Sequence, residues 1–255
     1  MVAGVVNWHI GRCGSSVLGS LLAQHPSIAY SNEIYSRYMP RRRGTSSLPS
    51  LESVLMEAEQ VSPGCELHFF EVKHLPDQNL GLYPRLDVKD WLNFFFARGY
   101  KRHLLMSRRN GLRRIVSHLR AAQSGQYVLG ASDAVGQISP ITVPLDGIAH
   151  GFGNRTLLGW LAEYERGHQS MHECLCAMRQ SHPEFSWLEL VYEDQIEDDP
   201  YMAYRDVCAF LALPHVDVDL QQRKINPGRL TELIANFEDV RDCLSPTRFA
   251  WMLSE

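Results

Sequence analysis

No stretch of this 255-residue chain has the length and apolarity to cross a bilayer. Nor does it open with the charged start, apolar middle and small-residue cleavage site of a secretory leader. A soluble, cytoplasmic protein is expected. Its six cysteines (Cys13, Cys65, Cys174, Cys176, Cys208, Cys243) lack the spacing of a disulfide framework. Cys174 and Cys176 are too close for the usual zinc knuckle, and no His or Cys pair answers them, so reduced thiols and no metal are expected. Repeats, low-complexity tracts and an obvious linker are also missing, which points to a single domain over residues 1–255. A net charge of −4 argues against a general nucleic-acid binder, which would be globally basic. One local absence runs the other way: no Asp or Glu lies between Trp91 and Ser132, while eight Lys or Arg fall between Arg98 and Arg120. A local anion site within an acidic protein explains that pattern economically.

What is present begins with Val2–Val6, an apolar run. It leads into the loop Gly11-Arg12-Cys13-Gly14-Ser15-Ser16, after which Val17, Leu18, Leu21 and Leu22 recur at helical spacing. Strand, glycine loop and helix N-terminus together present backbone N–H groups to an anion. The glycines let the backbone close on a phosphate or sulfate, and Arg12 adds a planar donor fork. Ser15 and Ser16 can cap the helix or donate to the ligand. A nucleoside-triphosphate loop requires Lys after its last glycine, and here Ser15 follows Gly14. The three-glycine dinucleotide fingerprint is absent too. On this stretch alone, a phosphate-type cradle and an ordinary turn with serine caps both remain open.

Further along, His68–Lys73 reads as a buried strand, Val88–Phe96 as a helix with an aromatic side, and His103–Met106 as a short apolar strand. In the helix that follows, Leu112, Ile115, Val116 and Leu119 mark one face, and Arg109, Arg113 and Ser117 line another edge at four-residue steps. An irregular insert occupies about residues 124–156, and Leu157–Gln180 looks helical. Phe185–Val191 is a further inner strand, Tyr201–Leu213 a helix closed by Pro214, and Arg229–Leu244 a last helix. Strands alternating with helices imply an α/β fold with a mostly parallel sheet covered on both faces.

Several of these stretches, in order along the whole chain, resemble the sulfotransferases that use 3′-phosphoadenosine 5′-phosphosulfate (PAPS). The loop Arg12-Cys13-Gly14-Ser15-Ser16 looks like the family's 5′-phosphosulfate loop, with Arg12 in place of the Lys of cytosolic members. Arg109 with Ser117 eight residues later, and Arg108 beside them, has the spacing of the segment that binds the 3′-phosphate. Val191-Tyr192-Glu193-Asp194, Asp199-Pro200 and the helix end Phe210–Pro214 form a third match. Arg223-Lys224, a basic pair before the C-terminal helix, is the fourth, although the glycine-rich C-terminal phosphate loop of cytosolic members is missing. The Asn32-Glu33-Ile34 step is closer in pattern to bacterial carbohydrate and glycolipid sulfotransferases.

The resemblance implies a P-loop-like three-layer α/β/α domain and PAPS as donor, with Arg12 and the loop on the transferred group and Tyr192 at the adenine. Two residues compete as general base. Glu33 matches the base of the bacterial branch, and His74, in Lys73-His74-Leu75-Pro76, resembles the histidine step of the cytosolic branch. Glu33 is favoured because the neighbouring motifs look bacterial, and Lys73 is placed near the sulfuryl group. Expected partners are a hydroxylated small-molecule or glycan acceptor and a second copy of the chain as a homodimer, without nucleic acid or stable membrane insertion. The rival readings are a small-molecule kinase of the same fold, a nucleic-acid-binding module and a noncatalytic nucleotide-binding protein.

Overall fold

A computed structural model describes residues 3–35, 49–60, 64–73, 87–130, 133, 139–150, 153–222 and 228–254. In chain order its elements begin with β1 (Ala3–His9), α1 (Ser15–Leu22), β2 (Ile28–Glu33), α2 (Leu51–Gln60) and β3 (Leu67–Lys73). There follow α3 (Val88–Ala97), β4 (Arg102–Ser107), α4 (Gly111–Ser124), β5 (Ile148–His150), β6 (Gly153–Arg155) and α5 (Leu157–Ser181). The chain ends with β7 (Ser186–Val191), α6 (Tyr192–Gln195), α7 (Pro200–Leu211), α8 (Leu230–Leu233), α9 (Phe237–Leu244) and a final 3-10 turn, Ala250–Leu253. Two compact units divide it: Met1–Ser107 with Arg166–Asp219, and Arg108–Glu165 with Leu220–Glu255. Among the described residues no helix is long and apolar enough to cross a membrane.

The first unit is an α/β layer structure. Its five strands lie in the order β2-β3-β1-β4-β7, and every pairing is parallel. Such a sheet must be covered on both faces, and strand alternation divides the side chains between them. Val6, Trp8, Phe70, Val72 and Leu105 turn to one face and share a core with α2, α3 and the later turns of α5. On the other face Tyr30 stacks on Phe69 at 5.4 Å. There α1 packs against β2 and α7, so close that a Cβ at Gly19 would meet the Tyr30 hydroxyl. The aromatic side expected of Val88–Phe96 is real: Trp91 and Phe95 are buried in the first of these cores.

Not every buried strand position is apolar. His103 on β4 accepts from Trp8 Nε1 at 2.8 Å through Nδ1 and donates from Nε2 to the Tyr100 carbonyl at 3.0 Å. The neutral ring is therefore fully partnered, and burial pushes its pKa from 6.5 down to about 4. A histidine held neutral in the fold but free to protonate when unfolded stabilises above about pH 6.5, and that contribution is lost as pH falls toward 4. At about 1.4 kcal/mol per pH unit the loss amounts to about 3 kcal/mol. Urea midpoints measured between pH 7 and 4 should fall accordingly. His103→Asn, which keeps an acceptor for Trp8, should flatten the fall; an unchanged slope would place the acid sensitivity elsewhere.

β2 was not foreseen, because Tyr30-Ser31-Asn32-Glu33 has no apolar alternation; it is an edge strand. Its register on β3 runs Tyr30 to Phe69 and Ser31 to Phe70, then skips Asn32 so that Glu33 pairs with Glu71. Regular alternation would put Glu33 on the face of Ser31. The extra residue moves it to the face of Tyr30, Glu71 and Lys73.

The second unit packs α4, the start of α5, α8, α9 and the final turn around Leu112, Val116, Trp160, Leu233 and Val240. Asn110 caps α4, accepting from the Arg113 N–H at 3.0 Å, and donates to the Met252 carbonyl at 3.0 Å. The insert is not wholly irregular, since β5 and β6 form an antiparallel hairpin. Arg229–Leu244, expected as one helix, is two. Ile234 leaves the helix to bridge Ile141, and the Asn236 side chain holds both backbone groups of Val143 at 2.9 and 3.0 Å. Tertiary pairing overrides helix continuation there.

Candidate active site

β1 ends at His9, and the chain turns into α1 through three left-handed residues: Gly11 (φ 77°), Arg12 (φ 60°) and Gly14 (φ 85°). For the two glycines this conformation is free, whereas at Arg12 it costs about 1–2 kcal/mol. Strain of this kind collects where a ligand is held. Gly14 is the N-cap of α1, so the cap position carries no side chain; Ser15 and Ser16 are the first two helical residues. Tyr192 follows directly on the end of β7 and opens α6. It lies against the loop, with its Cδ2 3.2 Å from where a Gly14 Cβ would stand and Ile196 Cγ2 at 2.7 Å.

At the same C-terminal edge of the sheet lies a cluster of charged side chains. Lys73 Nζ is 2.6 Å from Glu33 Oε1, and His9 Nε2 is 3.2 Å from Glu71 Oε2 and 4.0 Å from Glu33 Oε1. The Tyr30 hydroxyl donates to Glu71. Glu33 keeps 25% of its side-chain surface exposed and Lys73 18%, whereas His9 and Glu71 are sealed in. Only the outer pair can therefore be reached by a substrate.

Burial favours the neutral forms of His9 and Glu71, but each offsets it for the other. Glu71, with the hydrogen-bonded Cys13, raises the His9 pKa against that burial. His9, Tyr30 and Lys73 in turn hold the Glu71 carboxyl below its ordinary value. Burial and Glu71 push the Tyr30 phenol well above its ordinary value, so it remains a donor. Against full protonation of His9 stands the loop, since the Gly11 N–H donates to His9 Nδ1 at 3.1 Å. Only an unprotonated Nδ1 accepts that bond, and the proton facing Glu71 then sits on Nε2.

His9, Glu33 and Glu71 each bring a ligand atom within 4.8 Å of the other two, the only such trio among the described residues. A divalent cation would find one nitrogen and two carboxylate oxygens there. Lys73 supplies positive charge at Glu33, while Glu71 faces His9 Nε2 and accepts from the Tyr30 hydroxyl. Each carboxylate thus already has a partner within the protein.

Of the residues expected from sequence, Arg12, Cys13, Gly14, Ser15, Ser16, Glu33, Lys73 and Tyr192 fall within the first unit, at the strand ends and the loop. Arg108, Arg109 and Ser117 belong to the second. There Arg108 and Arg109 precede α4, Ser117 is buried on it, and Arg113 Nη1 donates to the Gly228 carbonyl at 3.2 Å. His74, Arg223 and Lys224 lie outside the described residues. Sequence reasoning missed His9, Tyr30 and Glu71. Polar residues inside strands that otherwise read as buried were the available signal.

No family model and no curated protein matches the chain. Among solved structures, it is similar to a sulfotransferase from Alicyclobacillus acidocaldarius, with a TM-score of 0.49 and 14% identity over 99% of this chain and 94% of that one. It is also similar to the sulfotransferase domain from the curacin biosynthetic pathway, with a TM-score of 0.46 and 12% identity over 87% of this chain and 80% of that one. Likenesses of this degree carry no functional inference.

Proposed function

We propose that the protein is a sulfotransferase moving a sulfuryl group from PAPS to the hydroxyl of a carbohydrate, glycolipid or small metabolite. One juxtaposition carries the reading: a strained, arginine-bearing loop entering a helix, beside a solvent-reachable carboxylate paired with a lysine. The motif order along the sequence supports it. PAPS, when bound, supplies an activated sulfuryl group whose sulfur–oxygen bond to phosphate breaks as the acceptor oxygen attacks. Positioning and charge compensation supply most of the catalysis in such group transfers. Arg12 and the N-terminus of α1 offset negative charge at the donor phosphate, and Lys73 offers a second cation at the transferred group. Glu33 takes the acceptor's proton. Arg108, Arg109 and Ser117 are assigned the 3′-phosphate.

Calorimetry with adenosine 3′,5′-bisphosphate tests the donor half, and Arg12→Ala should weaken binding at least tenfold, as expected for a lost charge-assisted contact of about 1.5–3 kcal/mol. A screen of hydroxylated acceptors with labelled PAPS tests the other half. Because each carboxylate of the cluster is partnered within the protein, EDTA should leave transfer unchanged; a loss restored by added metal would overturn this account of the site. Consumption of ATP in place of PAPS would make the protein a small-molecule kinase.

A further inference from the structure

We propose that His9 is a positioning residue that ties the anion loop to the buried Glu71–Tyr30 pair and fixes the loop in its left-handed form. The inference rests on the reading of Gly11–Ser16 as an anion cradle, and it goes beyond that reading by assigning the group that holds the cradle in shape. His9 touches the loop with one nitrogen and the sheet with the other. Nδ1 accepts the Gly11 N–H at 3.1 Å, and Nε2 faces Glu71 Oε2 at 3.2 Å. Gly11 is the first left-handed residue of the turn and Arg12 the second, so the bond is made where the backbone leaves the extended strand. The ring cannot drift, because Glu71 is itself fixed by Tyr30, and both His9 and Glu71 are buried. In effect the sheet holds the imidazole and the imidazole holds the loop. The bond at Nδ1 is set against the cost of the left-handed Arg12, and losing it loosens the cradle.

The two contacts of His9 can be separated, because Asn places a side-chain polar atom near the position of Nδ1 and Gln near that of Nε2. His9→Asn keeps an acceptor for Gly11 and gives up Glu71; His9→Gln keeps a donor for Glu71 and gives up Gly11. Binding of inorganic sulfate and of adenosine 3′,5′-bisphosphate is measured by calorimetry for wild type and both variants, beside their urea midpoints. His9→Asn should be the less stable variant, yet bind both anions within about threefold of wild type. His9→Gln should be the more stable of the two and bind about tenfold more weakly, the effect of one lost hydrogen bond. Equal affinities in the two variants, or the reverse order, would overturn the proposal. A purely structural role would make affinity follow stability, which is the opposite ranking.

Should His9→Asn fail to fold, nitrogen NMR of the wild-type ring decides the matter. The expected signature is an Nδ1 without a proton, coupled across a hydrogen bond to the Gly11 amide; a protonated Nδ1 overturns the proposal. Wild type that binds sulfate but not the nucleotide would refute the sulfotransferase reading and leave the His9 series to be decided by sulfate. Wild type that binds neither anion overturns both.

Discussion

Glu33→Gln is expected to lower turnover by about 10²–10⁴-fold, the usual worth of a general base, while adenosine 3′,5′-bisphosphate binds with nearly wild-type affinity. The substitution keeps the size of the side chain and an oxygen for Lys73, and removes only the capacity to accept a proton. Glu33 is the right group to lose because it is the carboxylate that solvent reaches; Glu71, the other one, is enclosed by His9 and Tyr30. The fall should appear in kcat at saturating acceptor, since the base acts in the transition state rather than in binding. Near-normal turnover in this variant would transfer the role to His74.

Gly14→Ala should abolish detectable anion binding and destabilise the fold by about 2–5 kcal/mol. Two costs add. The backbone there is left-handed at φ 85°, where an alanine loses about 1–2 kcal/mol. The new methyl would also stand 2.7 Å from Ile196 Cγ2 and 3.0 Å from Ile196 Cδ1, an overpacking of about 1–3 kcal/mol in a buried contact. Relief requires α6 to move off the loop or the loop to open, and either one reshapes the cradle. Urea denaturation and calorimetry on the same preparation read both effects. Wild-type stability with wild-type affinity would show that the loop is not held as described.

The parts of this fold legible in the sequence are those whose burial is written in a regular period. β3 and β4 lie inside the sheet and are buried on both faces, and their apolar runs announce them. β7, expected as an inner strand, is instead a half-buried strand at the edge of the described sheet, legible from Trp187, Leu188, Leu190 and Val191. α5 is long enough for its helical spacing to be unmistakable. The cradle was legible because glycine and arginine at a strand-to-helix turn carry a specific backbone and charge requirement, met at Gly11, Arg12 and Gly14. β2 was not legible, since an edge strand that turns polar groups inward to a site has no hydrophobic alternation to show. His9 and Glu71 were passed over for a related reason. A charged residue in an apolar strand gives no hint of its partner, and theirs comes from a neighbouring strand that only the parallel register brings beside it. The break between α8 and α9 is drawn by Ile141 and Val143, far away in sequence; the one local signal of it was Asn236, a residue that favours helix starts and stands at the N-cap of α9.

The skipped residue in β2 makes strand register, not side-chain identity, the switch that decides which layer receives the base. A β2 of the same sequence in which Asn32 paired regularly with Glu71 would put Glu33 opposite Val72, retaining every functional group of the cluster and still losing it. Glu33 would rotate into the aromatic layer, away from Lys73, where a carboxylate stripped of water and of its counter-ion would be too costly to keep charged.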